Sequence, residues 1–290
     1  MSKNHINVSV VITTIGEKNL SNLVKDLLNG SRIPKEIILV YPPDYNFLNN
    51  NIINDVISLK SKVKGQVYQR KTGIDKASYK TILQLDADLK IFRNTLKELW
   101  NTHIQLGNKV AIGPRTIHSF DGIHIEKKQE KKWKNIFNFL GGGNINIVST
   151  HNPFRFDSWF QDWQPPKESG FVNILPGGCI MFNKTNYINF DYYTLKGKAT
   201  GEDILNSAYF KRYGFKLFVN IKAKIIHPGF NEYEHFSLKD LFLYLIKVYK
   251  IKIKVCNIAS GNYVRFYLWF CYHTVGQIIK YLFFNKIKKK

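Results

Sequence analysis

The sequence predicts an α/β protein with a mostly parallel central sheet, helices on both faces and a C-terminal pair of amphipathic helices. Three observations carry this. Short β-branched runs alternate with segments of helical spacing along the first 115 residues, a pattern that builds a parallel sheet between helical layers. Hydrophobic residues make up 44% of the 290 positions, enough for a large core and too many for global disorder. The last 55 residues, 236–290, change character: ten Lys and Arg265 face one acid, Asp240, so +10 of the +22 net charge sits there.

The elements follow in order. A β-branched first strand spans 6–13 and runs into the loop Thr13-Thr14-Ile15-Gly16-Glu17. Leu20, Leu23, Val24, Leu27 and Leu28 recur at helical spacing, with Gly30 as the stop. A second strand over 35–41 is closed by Pro42-Pro43, with Asp44 just beyond. The pattern then predicts a helix over 47–59, a short strand over 63–68 and a helix over 69–78. A buried strand, 81–85, ends in Asp86-Ala87-Asp88. Leu96, Leu99, Trp100 and Ile104 share one face of a helix over 93–106, and a strand follows over 109–113. The stretch 115–170 is less regular, with a charged run at 126–134, Gly141-Gly142-Gly143 and an aromatic loop from Phe154 to Trp163. Strand character returns over 171–182, broken at Leu175-Pro176-Gly177-Gly178. Gly201-Glu202-Asp203 opens a helix that Gly214 caps, and a strand over 216–226 leads into His227-Pro228-Gly229. In the tail, an amphipathic helix over 238–249 is followed by an aromatic helix over 263–284.

The chemistry concentrates at Asp86-Ala87-Asp88. In extended chain, residues i and i+2 point the same way, about 6.5–7 Å apart. Two carboxylates that close repel unless a cation lies between them, and oxygen ligands suit magnesium or manganese. Alone, the pair reads more readily as an acidic turn at a strand end. Its surroundings change that, because Thr13, the turn from Tyr41 to Asp44 and Asp86–Asp88 all end parallel strands, the edge where such sheets bind ligands. Likewise, Glu202 and Asp203 alone suit the dipole of a first helical turn, the glycines at 177–178 suit either a bulge or close backbone approach to a ligand, and a lone His227 is ordinarily structural.

Several classes are excluded. The glycine triplet lacks the spacing of a dinucleotide site, and no phosphate-binding Gly-x-x-x-x-Gly-Lys-Ser/Thr occurs. Cys179, Cys256 and Cys271 form neither a disulfide framework nor a zinc pattern, as expected in a reducing compartment. The N-terminus shows no signal peptide, so export is not expected. Between Arg265 and Lys280 lie 14 uncharged residues, fewer than the roughly 20 a spanning helix needs. The basic, aromatic tail instead fits helices lying on an anionic membrane surface. Net charge alone also suits a nucleic-acid binder, but no binding motif accompanies it and nucleic acid is not an expected partner.

Taken together, the motifs resemble a family-2 glycosyltransferase of the GT-A (Rossmann-like) fold. The carriers are Thr13-Thr14-Ile15-Gly16-Glu17, Gln69-Arg70-x-x-Gly73, Leu85-Asp86-Ala87-Asp88, Leu175-Pro176-Gly177-Gly178 and Gly201-Glu202-Asp203. The resemblance implies a GT-A domain over 1–235, nucleotide-sugar-binding to 115 and acceptor and catalytic from 116, with 236–290 as the membrane-associating tail. It implies that Thr13, Thr14, Ile15, Glu17, Asp44, Arg70, Asp86 and Ala87 bind the nucleotide, and that Asp88, Asp86 and His227 hold Mn2+ or Mg2+. Pro176, Gly177 and Gly178 would shape the acceptor side, and Asp203, supported by Glu202, would be the base. The implied activity is inverting transfer of one sugar from a nucleotide-diphosphate sugar, a UDP-sugar foremost, to a glycan or lipid-linked acceptor. That places the protein in the cytoplasm, on the inner face of the plasma membrane. Two places depart from the family pattern. Tyr41-Pro42-Pro43 stands where an aspartate commonly reads uracil, and Lys211-Arg212-Tyr213-Gly214 stands where processive synthases carry Gln-x-x-Arg-Trp. A sugar-nucleotide-forming nucleotidyltransferase shares a similar sheet, but lacks support here because no Gly-rich, Arg- and Lys-bearing loop follows the first strand.

Overall fold

In the computed structural model, the described residues are 5–45, 56–120, 123–124, 168–186, 202–228, 237–258 and 263–287. The strands are β1 (His5–Thr13), β2 (Ile33–Tyr41), β3 (Ile57–Lys60), β4 (Thr81–Asp86), β5 (Lys90–Ile91), β6 (Val110–Phe120), β7 (Ile123–His124), β8 (Gly170–Val172), β9 (Cys179–Asn183) and β10 (Lys216–Pro228). The helices are α1 (Leu20–Leu28), α2 (Gln66–Lys76), α3 (Thr95–Leu106), α4 (Glu202–Arg212), α5 (Leu238–Ile258) and α6 (Tyr263–Ile287). Contacts divide the chain into two compact units, Met1–Ile125 with Pro165–Gly229, and Glu126–Gln164 with Phe230–Lys290.

The first unit holds one sheet in the order β3-β2-β1-β4-β9-β6-β10-β5, with β7 on β6 and β8 on β10. The β3-β2-β1-β4 half is parallel throughout. β9 then enters antiparallel between β4 and β6, while β6 and β10 pair parallel. Alternation along β1 sorts the helices onto the two faces. Ile6, Val8, Val10 and Ile12 form one core with Leu20, Leu23, Val24 and Leu27 of α1 and Leu96 and Leu99 of α3. Val11 points the other way, toward α2, where Gly73 lies so close that a Cβ there would press into Val11 and stand 2.9 Å from Val40 Cγ2. On β9, Met181 joins the first core, while Phe182 meets Phe210 of α4 edge-on at 5.3 Å. So α1 and α3 cover one face, and α2 and α4 the other.

Three expectations change. The predicted helix over 47–59 lies partly on residues 46–55, outside those described, and its end is instead β3, because Ile57 to Lys60 pair in register with β2. The predicted strand over 63–68 is a turn into α2, opened by Gly65 at φ 149°. The strand expected at 109–113 runs on to Phe120, since β10 continues to pair with it from Lys224 to Pro228. The 126–134 charged run, the glycine triplet and the aromatic loop lie outside the described residues.

Within the second unit, α5 begins with Ser237 and Asp240 bonded reciprocally, Asp240 Oδ2 accepting from the Ser237 N–H at 3.0 Å and Ser237 Oγ accepting from the Asp240 N–H at 3.1 Å. α5 and α6 run antiparallel, Tyr244 facing His273 and Lys252 facing Trp269. Lys252 is buried with its ammonium 5.0 Å from the Trp269 ring centre, and His273 stacks on the same ring at 5.0 Å. Among the described residues, no helix is long and apolar enough to cross a membrane.

Candidate active site

The C-terminal ends of β1, β2 and β4 lie side by side, with Thr13 in register with Val40 on one side and Asp86 on the other. The convergence of strand ends predicted from the sequence is thus present. The buried Thr13 hydroxyl donates to Asp86 Oδ1 at 3.3 Å. The following loop is tied back on itself. The Thr14 hydroxyl and the Ile15 N–H both donate to Glu17 Oε2, the latter at 3.1 Å. Ile15 is left 67% exposed at the lip. Gln69 supports this loop from α2: buried, it donates through Nε2 to the carbonyls of Thr14 at 2.9 Å and Val40 at 2.7 Å. A polar residue aimed into a sheet signals such a clamp, yet its role is not deducible from spacing.

The Arg70 side chain is 2% exposed and faces two protein carboxylates. Nη2 donates to Asp86 Oδ1 at 2.8 Å, and Nη1 donates to Glu202 Oε1. Asp44 sits exposed in an ion pair with Lys64 at 2.6 Å, which holds its carboxyl below the usual range. The place beside the loop belongs to Tyr45, which stacks on the buried Tyr41 with ring centres 4.6 Å apart. A Cβ on Gly16, whose φ is 91°, would come within 2.5 Å of the Tyr45 hydroxyl. Burial, with Tyr45 and Glu17 nearby, pushes the Tyr41 hydroxyl up to about 12.

Ala87 is buried, and Asp88 follows it at the same edge. Burial first, and the Asp86 and Glu17 carboxylates after it, raise Asp88 above the usual carboxylate range, while His227 at the end of β10 opposes them. Its Oδ1 is buried with no hydrogen-bond partner among the described residues. A buried carboxylate oxygen without a donor, beside a second carboxylate, calls for a cation. Asp88 and Asp86 offer oxygens of the kind a divalent metal takes, and His227 acts on Asp88 as an opposing charge. Among the described residues, no three such groups are already arranged about one metal position, so a bound ligand would have to complete the shell.

The loop at 175–178 joins this edge to the start of α4. The Asp86 N–H donates to the Gly178 carbonyl at 2.8 Å, and Gln84 Nε2, buried in β4, donates to the Gly177 carbonyl at 2.5 Å. The Gly177 N–H in turn donates to Asp203 Oδ1 at 2.6 Å. Only glycine fits at 177, because a Cβ would collide with Asp203 Oδ1 and stand 2.8 Å from Glu202 Oε1. At 178 a Cβ would stand 3.3 Å from Asp86 Oδ2. Pro176 is half-buried beside them. Asp203 is raised from 3.8 to about 6, by burial above all, against the pull of Arg70 and the Gly177 N–H. Two paths, one through Arg70 and Glu202 and one through Gly177, thus bring the carboxylate pair of β4 and the first turn of α4 to one place.

A family model, glycosyl transferase family 2, matches residues 45–163, a stretch holding Arg70, Asp86 and Asp88 and ending before Gly177 and Asp203. By sequence, no curated protein matches the chain. Among solved structures, GalNAc-T7 with UDP, GalNAc and Mn2+ is similar at TM-score 0.55 and 17% identity, covering 86% of this chain and 47% of that one. S. aureus TarS 1–349 in complex with UDP is similar at TM-score 0.52 and 13% identity, covering 87% of this chain and 66% of that one. The chain spans about half the length of the first and just under two thirds of the second. At these identities the likeness is one of fold. The chain is thus similar to glycosyl transferase family 2 over the stretch that holds β4 and its carboxylates, and shares the fold of these two structures.

Proposed function

We propose that the chain moves a single sugar, with inversion, from a nucleotide-diphosphate sugar to a hydroxyl of a glycan or lipid-linked acceptor. The observation that carries this is the meeting of Asp86 and Asp88 with Asp203 at one sheet edge, through the Arg70 and Gly177 links. The donor is a UDP-sugar of hexosyl or N-acetylhexosaminyl type. UDP in both similar structures, and Mn2+ in one, support that choice. Mn2+ or Mg2+ held by Asp88, Asp86 and His227 would supply Lewis-acid stabilisation of the departing diphosphate.

The protein's own groups do the rest. Ile15 borders the base, and Glu17 holds the loop that presents it. Gly177 and Gly178 let the acceptor approach, since neither carries a side chain. The Gly177 N–H fixes Asp203 Oδ1, leaving Oδ2 to take the proton of the acceptor hydroxyl. The deprotonated acceptor oxygen bonds to the anomeric carbon as the bond to the diphosphate breaks, and the nucleoside diphosphate leaves. A base near 6 is ionised at neutral pH and still basic enough to accept the proton.

The tail supplies the location. Val264, Leu268, Val275, Ile279 and Leu282 are exposed at helical spacing along α6, as are Leu238, Phe242 and Ile246 along α5. Apolar stripes of this extent, on a segment carrying ten Lys and Arg265, suit the interface of an anionic membrane. The acceptor is then a lipid-linked glycan at the inner face of the plasma membrane, in cell-surface polysaccharide or lipopolysaccharide synthesis.

The test is a thermal-shift screen against uridine, guanosine, thymidine and cytidine diphosphate sugars, with and without Mn2+. A ligand at 100 times its Kd stabilises by about 2.7 kcal/mol. A uridine sugar should raise the midpoint only with metal. No shift with any of them would overturn the reading.

A further inference from the structure

We propose that Arg70 is a positioning residue that couples loading of the donor edge to the placement of the base on α4. The inference rests on the transfer reading above and concerns how the two halves of that site communicate. Arg70 comes from α2, Asp86 from the end of β4 and Glu202 from the first residue of α4, so one guanidinium joins three elements. The guanidinium is a rigid planar fork, and its two arms are committed to different carboxylates, which fixes their separation. Glu202 is buried, and its Oε2 has no hydrogen-bond partner among the described residues. A buried carboxylate with one oxygen unpartnered leans on the ion pair made by the other.

The arrangement has a directional consequence. A cation arriving at Asp86 draws on the same carboxylate that accepts from Arg70 Nη2. As that bond weakens, the charge of Arg70 falls more fully on Glu202 and holds the first turn of α4 more firmly. Linkage requires the reverse as well: neutralising Glu202 leaves Arg70 wholly to Asp86 and makes Asp86 a poorer cation ligand. The second path, from Gln84 through Gly177 to Asp203, consists of hydrogen bonds that no arriving charge contests. Asp203 is therefore held by one fixed tether and one that answers to the donor.

The experiment uses the full chain, with Mn2+ and UDP as probes. Glu202→Gln keeps the shape and removes the charge. Binding of UDP in the presence of Mn2+ is followed by calorimetry, and amide hydrogen exchange of residues 204–207 is followed with and without both. In the wild type, loading should slow that exchange. In Glu202→Gln, affinity should fall at least about fivefold and the loading-dependent slowing should vanish, although residue 202 lies on the acceptor side. Arg70→Lys, which cannot bridge both carboxylates, should lose the same response and serves where Glu202→Gln fails to fold. Asp203→Asn removes a charge that acts on Arg70 and Asp86 without an ion pair to either, and should lower affinity less than Glu202→Gln does. Wild-type affinity and slowing in Glu202→Gln, or an equal affinity loss in Asp203→Asn, would overturn the coupling while leaving the transfer reading standing. A wild type that binds no nucleotide would overturn both.

Discussion

Replacing Asp203 by asparagine should stop the reaction and stabilise the fold. Asp203 is displaced from 3.8 to about 6, chiefly because burial disfavours its charge. That displacement corresponds to about 3 kcal/mol held against the ionised form. The sign follows from proton binding. With the folded value above the unfolded one, the native state keeps its proton longer, so stability is full below about pH 4 and is lost as pH rises through about 6. Asparagine is neutral throughout and still offers Oδ1 to the Gly177 N–H. The variant should therefore exceed the wild type by up to about 3 kcal/mol at pH 8, a gap that closes toward pH 4. Transfer should fall by about 10²–10⁴, the contribution of a general base. Wild-type kcat/KM should itself drop on the acid side of pH 6, as the base protonates. Denaturant unfolding of both proteins at pH 4 and pH 8, with initial rates at pH 8, makes the assay. Wild-type transfer by the variant would refute the assignment of the base, and a stability gap equal at both pH values would refute the electrostatic reasoning.

Three further substitutions probe the supports. Gly177→Ala drives a methyl into the Asp203 and Glu202 carboxylates; it should destabilise by about 1–3 kcal/mol and reduce transfer more than donor binding, as unfolding and steady-state kinetics would register. Gln69→Leu removes the side-chain donor from the buried Thr14 carbonyl and leaves Val40 with the Thr14 N–H; a loss of about 1–3 kcal/mol and a raised KM for the donor are the expected results. Glutamates at Val264 and Leu268 interrupt the exposed stripe of α6; co-sedimentation with anionic vesicles should fall, and wild-type binding should weaken with salt.

Much of the fold is legible from local pattern. The parallel strands and their helices announce themselves through β-branched runs and leucine spacing, and the α4 stop is marked by Gly214, whose φ is 80°. What pattern cannot reveal is pairing between distant strands. β9 entering antiparallel between β4 and β6 depends on pairings remote in sequence, such as Leu83 with Met181 and Ile112 with Met181, as does the extension of β6 along β10. The site divides the same way. Asp86, Asp88, Gly177 and Asp203 are visible because each is an odd residue for its place: acids ending an apolar strand, a glycine interrupting one, an acid in a buried first turn. Arg70 reads from the sequence as a ligand contact, because its burial and its two carboxylate partners come from distant elements. Asp44 shows the converse: its acid is visible in the sequence, its surface partner Lys64 is not. Gln69, Gln84 and Tyr45 were missed because their partners are backbone groups or rings that come together only in the folded sheet.

The central claim, that the β4 carboxylates form a metal-dependent nucleotide-diphosphate site, is tested most directly by titrating UDP into the wild type and Asp88→Ala, each with and without Mn2+. Binding should appear in the wild type only with the metal and should be lost in Asp88→Ala, with its unfolding transition retained. Binding that ignores Mn2+, or that survives the loss of Asp88 unchanged, would contradict the account.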